Sequence, residues 1–474
     1  VFAKLTDYTI RFPLACAGAM LLVFVILVRP QEFVLLLEPF PVLNIVFFTA
    51  AATCLLDLAL GKIQTLWSPQ LPFLLPLLAW TYIVSIKAGG LDAVNGVTFD
   101  VLFSALFMGI VMLGARSLDR FRAIGTLILL LGLGLAAVGV DQAQNDFECV
   151  LLDVDEDGII DIGSGTPDGR PCQGVNDCTN DVFHAQGEYE CEKRGRFQTF
   201  SIGRGRVRWR GKLGDPNELA LFISSALAFG FAMHSEMKKK VRHLLLLGAA
   251  FLVAWCVVCT GSRGGQLVFL TVVGLYFIKR YGARGFIMGA AGALPVLLFG
   301  GRSGAEAESS SEERLGLLYD GMDLIRESPI FGVGQNQFAD HVYPSLTAHN
   351  AYVLACAELG FPGLFLWFGL CYVSAKIPVM MLYRPPPTLD PRFRTWATAF
   401  LFSLLAMYVG IFFLSFTFHP LLFIYFGLAG ALYGAAKSAD PYFDIRIGKW
   451  EMAFIVGGST MLMIAVFIYT RLKA

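Results

Sequence analysis

Long apolar runs separated by short polar connections make up most of the chain. A helix crosses the hydrocarbon core with roughly 20 apolar residues. Runs of that kind recur at 12–28, 40–60, 70–86, 98–114, 123–140, 217–233, 243–259, 266–278, 285–300, 351–374, 395–416, 419–436 and 452–469. The pattern predicts an all-α polytopic membrane protein with about 12–13 transmembrane helices. The run at 266–278 is short for a crossing, and residues 1–30 read as a retained first span. Two hydrophilic stretches divide the chain into N-terminal helices (1–140), a first long loop (141–213), central helices (214–301), a second long loop (302–349) and C-terminal helices (350–474).

Composition agrees with this pattern and excludes several classes. Hydrophobic residues are 56% of the chain and charged residues only 16%, against about 25% charged in a soluble domain. A soluble enzyme and a disordered chain are both excluded. With 37 Lys+Arg balancing 37 Asp+Glu, nothing suggests a nucleic acid partner. Short cytoplasmic loops favour Lys and Arg. With the N-terminus inside, the runs Arg116/Arg120/Arg122, Lys238–Arg242, Lys279/Arg280/Arg284 and Arg384/Arg392/Arg394 all fall on the cytoplasmic side. Both long loops then lie outside. Asp57 and Asp100 sit near span ends, so the sequence lacks the deep ionisable residues that favour a transporter or flippase.

The first loop holds Cys149, Cys172, Cys178 and Cys191. Four cysteines on an oxidising side predict two disulfides, with three pairings open. A zinc site made of all four is the alternative, although no CxxC knuckle is present. Asp153, Asp155, Asp157 and Asp161, with Gly158, follow the spacing of a calcium turn; Ser164 stands where an EF-hand carries its bidentate Glu. A structural calcium ion is the cofactor this turn suggests, and an acidic solvated turn is the alternative. The loop then turns basic. Arg204, Arg206, Arg208, Arg210 and Lys212 alternate with Gly205, Val207, Trp209 and Gly211. An extended strand would place these cations on one face, suited to anionic headgroups of membrane lipids, to a pyrophosphate or acidic sugar, or merely to solvent.

Further along, Asp215-Pro216 marks a helix start. Thr260-Gly261-Ser262-Arg263-Gly264-Gly265 is a Gly-rich turn with a single cation. It suits an anion site or an Arg that snorkels to headgroups. The second loop carries Arg314 directly after Glu312 and Glu313, where it could also be a paired surface residue, then Pro329–Phe338, and ends at His349, a side chain suited to moving a proton near neutral pH.

Taken in order, Asp215-Pro216-Asn217, Ser262-Arg263-Gly264, Arg314 to Gly332-Val333-Gly334, and His349-Asn350-Ala351-Tyr352 followed by Glu358-Leu359-Gly360 resemble the O-antigen ligase/polymerase superfamily. The resemblance covers about 210–375; the first five spans and the cysteine–calcium insert lie outside it. It implies a GT-C-like fold in the bacterial inner membrane, with the site facing the periplasm. It further implies transfer of a glycan from a polyprenyl pyrophosphate carrier to an acceptor hydroxyl, without a nucleotide sugar or a catalytic metal. The acceptor would be another glycan, lipid A-core or a protein; a repeat-unit polymerase and a protein O-oligosaccharyltransferase are the alternatives within the superfamily. By motif match, Arg263 and Arg314 fall where pyrophosphate-binding arginines are expected, and His349 where the acceptor-activating or phosphate-contacting histidine is expected. Arg208 and Arg210 join as substrate-binding candidates on charge and position. Asn350 and Tyr352 are candidates to line the site, with Tyr352 sharing a helix face with His349. Glu358 is read as structural. A calcium-dependent adhesion or sensory protein built on the first loop is a further alternative.

Overall fold

The computed structural model describes residues 13–63, 67–154, 160–178, 189–237, 239–289, 291 and 305–473. Asp155 and Asp157 of the expected calcium turn lie outside the described residues, and the side chains of Asp153 and Asp161 are likewise outside them. Most of the expected span at 285–300 is also outside.

Among the described residues, ten helices are long and apolar enough to cross a membrane. The protein is an all-α polytopic membrane protein. In chain order the helices are α1 (Leu14–Val28), α2 (Val42–Ala59), α3 (Leu71–Gly114), α4 (Leu118–Gln144), α5 (Pro216–Glu236), α6 (Lys239–Cys259), α7 (Arg263–Tyr281), α8 (Ala305–Glu327), α9 (Ala351–Tyr383), α10 (Pro391–Gly410), α11 (Pro420–Ala439) and α12 (Lys449–Lys473). α7 forms, but Arg263, Lys279 and Arg280 keep it out of the apolar set. The second hydrophilic stretch contains a helix, α8.

The chain forms two compact units, one of Val1–Leu22, Val46–Ile124 and Ser303–Ala474, the other of Val23–Ile45 and Gly125–Arg302.

In the first unit α3 contains both spans expected at 70–86 and 98–114. Gly89 and Gly90 leave helical geometry, Gly90 with φ 67°, which glycine alone adopts cheaply. The chain reverses there. Before the break, Phe73 lies against Gly369 and Trp80 donates to the Leu359 carbonyl at 2.8 Å. Rising α3 numbers thus meet falling α9 numbers. After the break, Ser104 donates to the Phe418 carbonyl at 2.6 Å, Val111 meets Gly427 and Arg116 meets Gly434. That half runs parallel to α11. α11 forms the core of this unit, buried without interruption from Leu421 to Ala436. α12 instead exposes Met461, Ile464 and Ile468, an apolar face suited to lipid.

Helix direction sorts this unit into two ends. His349, the 411–419 connection, α8 and Arg471 share one end: the His349 amide donates to Ser415 Oγ at 3.0 Å, and Arg471 Nη2 donates to Asp323 Oδ1 at 2.9 Å. Lys376, Arg384, Arg392, Lys437, Arg446 and Lys449 gather at the other, where Lys376 pairs with Glu451. Asp57 is fully buried, but it is spoken for. Its Oδ2 accepts the Ala15 amide at 2.8 Å and its Oδ1 lies 3.6 Å from Lys62. This is a helix-start brace rather than a transport carboxylate.

In the second unit, α4 to α7 pack through glycines. A Cβ on Gly132 would strike Ala226, one on Gly139 would strike Cys256, and one on Gly265 would strike Ala220. Beyond α4 stands a three-stranded antiparallel sheet in the order β2-β1-β3, with β1 Phe147–Val154, β2 Ile160–Pro171 and β3 Tyr189–Lys193. Two disulfides close it, Cys149–Cys178 and Cys172–Cys191. They select one of the three open pairings and leave no thiolate among these four for zinc. The four half-cystines and Tyr189 form the small buried core of the sheet, the usual remedy for a domain too small to bury enough apolar surface.

Candidate functional site

The Gly-rich turn before α7 is built to present Arg263. Gly261 takes φ 60°, and Ser262 caps the helix, its Oγ accepting the Gly265 amide at 2.9 Å. Gly265 lets the first turn of α7 sit against Ala220 of α5, where any Cβ would be 2.3 Å away. Arg263 is therefore the first residue of a capped, anchored helix, and its side chain is exposed. The positive end of the helix dipole adds to its charge. One turn in, Gln266 is 3% exposed and its Nε2 has no hydrogen-bond partner among the described residues. Helical side chains lean toward the N-terminus. Gln266 is thus a buried donor beside the turn, and a glutamine inside an apolar span gave no signal in the sequence.

The basic stretch does not form the expected strand. Gly203, Arg204 and Gly205 all have positive φ, and a tight turn pairs Ile202 with Arg206. Three of its cations bond backbone carbonyls. Arg206 Nε donates to the Thr260 carbonyl at 2.9 Å, and Arg208 is buried with Nε on the Phe200 carbonyl and its guanidinium over the Phe200 ring. Arg210 binds the carbonyls of Glu32, Phe197 and Gln198. Burial draws its guanidinium below the usual arginine range, with Glu32 opposing. The left-handed residues 203–205 remove Arg204 from any such row, whereas Arg206, Arg208 and Arg210 follow the turn, Arg210 in extended backbone with φ −132° and ψ 166°. Arg208 and Arg210 are thus occupied in tying backbone segments together, which is a structural setting rather than the expected row of ligand-facing cations.

In the first unit, Arg314 lies on α8 and is half-exposed. Gly321 fixes that helix against the start of α9, since a Cβ there would fall 2.8 Å from Val353. His349 is half-exposed and takes φ 47°. It precedes the helix instead of belonging to it, so the expected shared face with Tyr352 does not exist. Asn350 is the cap of α9, its Oδ1 accepting the Tyr352 and Val353 amides, both at 3.0 Å. Tyr352 is buried against Trp367 and donates to the Tyr408 carbonyl at 3.0 Å. Asn350 and Tyr352 therefore anchor the helix that follows His349.

The Pro329–Gly334 motif has a physical explanation in the break of α9. Gly360 takes φ 68°, and Pro362 has no N–H to give the Glu358 carbonyl. The Phe361 amide turns to the Pro329 carbonyl at 2.8 Å. Two carbonyls are freed, and the loop supplies their donors: Val333 N–H to Ala357 and Gly334 N–H to Glu358, at 2.9 and 3.0 Å. Close approach demands glycine on both sides, since a Cβ on Gly332 would lie 2.4 Å from the Glu358 carbonyl and one on Gly360 2.0 Å from the Ile330 oxygen. The buried Glu358 carboxylate accepts the Phe338 amide at 3.4 Å. Asn336 in turn reaches Asp100 at 3.1 Å. This docked loop connects α8, with Arg314, to the segment ending at His349.

No curated protein matches the chain. Residues 247–368 match the family described as O-Antigen ligase. The matched segment contains the Arg263 turn, Arg314 on α8, the docked glycine loop and His349. Over those residues, the chain is similar to the O-antigen ligase family.

Proposed function

We propose that this protein is a glycosyltransferase that moves a glycan from a polyprenyl pyrophosphate carrier to an acceptor hydroxyl at the extracytoplasmic face of the bacterial inner membrane. The observation that carries the reading is the family match over 247–368, which includes Arg263, Arg314 and His349 together. The positive-inside rule supports the sidedness: the Lys376 end is the basic one, so the His349 end faces out.

The acceptor oxygen attacks the anomeric carbon, the bond from that carbon to the phosphate oxygen breaks, and the carrier leaves as its pyrophosphate. Attack from the opposite face inverts the anomeric centre. Arg263 and Arg314 neutralise charge gathering on the departing pyrophosphate, for which the planar guanidinium fork is suited. His349 takes the hydroxyl proton or steadies the phosphate. The calcium turn, if loaded, braces the insert beside its disulfides.

The test is reconstitution. Purified protein in vesicles, given carrier-linked glycan and a candidate acceptor, should release the carrier pyrophosphate in step with glycosylated product. Glycan crossing the vesicle membrane with no new glycosidic bond would instead indicate a flippase.

A further inference from the structure

The disulfide-bridged insert has no part in the family motifs, yet an unbroken series of contacts leads from it to the turn that presents Arg263. All of it lies in one compact unit. β3 ends at Glu192 and Lys193, one residue past Cys191 of the second disulfide. Glu192 is 3% exposed and its carboxylate is fully engaged. It accepts Ser201 Oγ, the Arg204 amide at 3.0 Å and the Gly205 amide at 3.0 Å. A buried carboxylate thus holds the left-handed turn Gly203–Gly205 as a bound anion is held by a backbone nest. The next two residues deliver the turn to its target. Arg206 Nε donates to the Thr260 carbonyl at 2.9 Å, and the Val207 amide donates to the Cys259 carbonyl at 3.2 Å. Thr260 Oγ1 in turn accepts the amide of Ser262, the cap of α7, at 3.3 Å.

The other end of the insert is fastened as well. Lys193 Nζ donates to the Ala143 carbonyl at 2.6 Å, Asn145 to the Arg194 carbonyl at 2.7 Å, and Gln142 holds both Thr199 and the Arg208 amide. The arginine turn is therefore clamped between α4 and the α6–α7 connection.

We infer that Arg206, set by Glu192 and the bridged sheet, is a positioning residue for Arg263: the insert braces the turn that presents the cation to the donor's pyrophosphate. The functional half of this inference rests on the glycosyltransferase reading; the structural half does not. A Gly-rich turn offers little stiffness of its own. A guanidinium on its carbonyl supplies that stiffness, and the disulfides keep the supplier rigid.

The experiment uses the full-length protein in detergent or nanodiscs. Amide exchange over 259–266 and donor KM and kcat are measured for wild type, Arg206→Ala, Arg206→Lys, Glu192→Gln and Arg263→Ala. Arg206→Ala and Glu192→Gln should speed exchange across that turn while leaving α5 protected. They should also raise donor KM on the order of tenfold, since misplacing a reacting group by ~1 Å costs up to ~100-fold. Arg206→Lys, which keeps a donor, should restore much of both. Unchanged exchange in Arg206→Ala overturns the brace, and so does faster exchange with donor KM untouched while Arg263→Ala is inactive. Full activity in Arg263→Ala would reject the pyrophosphate reading instead; the brace is then decided by exchange alone.

Discussion

At the scale of residues, glycine and caps set the site. A methyl group on Gly360 would meet the Ile330 carbonyl at 2.0 Å in a backbone of φ 68°. The left-handed conformation alone costs roughly 1–2 kcal/mol for a residue with a Cβ. Gly360→Ala should therefore lower the thermal unfolding midpoint sharply, and Gly332→Ala, facing the same helix break, should do likewise. Asn350 separates structure from chemistry. Asn350→Asp keeps the capping oxygen and should match wild type in stability, whereas Asn350→Ala should lose ~1 kcal/mol. Activity retained in Asn350→Asp would show that the residue serves the helix rather than the substrate. Much of this was legible in sequence. Asp215 caps α5 as Asp-Pro suggested, with Glu218 completing a capping box, because such caps act within three residues. His349 was legible as a candidate but not its backbone, which takes φ 47° with its amide bonded to Ser415, 66 positions away.

Elements were legible where period and length sufficed and failed where partners decided. The apolar runs located the helices. The alternation at 204–212 suggested a strand, but local alternation knows nothing of Glu192, whose buried carboxylate rolls residues 203–205 into a turn. α8 was hidden for a similar reason. Its sequence is polar overall, and it is held by packing at Gly321 and by Arg471, which binds Asp323 and Tyr319. That contact carries a topological consequence. Arg471, near the end of α12, must emerge on the same side of the membrane as α8. A protease site appended after Ala474 and one placed in 339–346 should be cut from the same side of sealed vesicles; cutting from opposite sides would contradict the helix arrangement. Asp320 adds a pH effect on α8. Burial and neighbouring Asp323 raise its carboxyl above the usual range. A carboxyl raised on folding favours the folded state only while protonated, so its contribution is lost as pH rises through its folded value. Asp320→Asn should thus stabilise slightly at neutral pH, read as a higher unfolding midpoint, with the gain vanishing in acid.

For the whole molecule, the candidate residues divide between the segment that matches the family and the insert outside it. The matched segment spans α6 to α9 and supplies Arg263, Arg314 and His349. The insert lies outside it, yet its contacts end on the turn that presents Arg263. Sequence spacing exposed the disulfide set but not its pairing, since four cysteines fit three arrangements and even Cys149 and Cys191, opposite one another in the sheet, bond instead to Cys178 and Cys172. The central proposal is that Arg263, Arg314 and His349 are each needed for transfer from a carrier-linked donor. Its most direct measurement is steady-state transfer by purified, correctly folded Arg263→Ala, Arg314→Ala and His349→Ala proteins across a range of donor concentrations. The account predicts a large loss of kcat/KM in all three, on the order of 100-fold or more when a charge-stabilising donor is removed. Wild-type transfer by both arginine variants would contradict it.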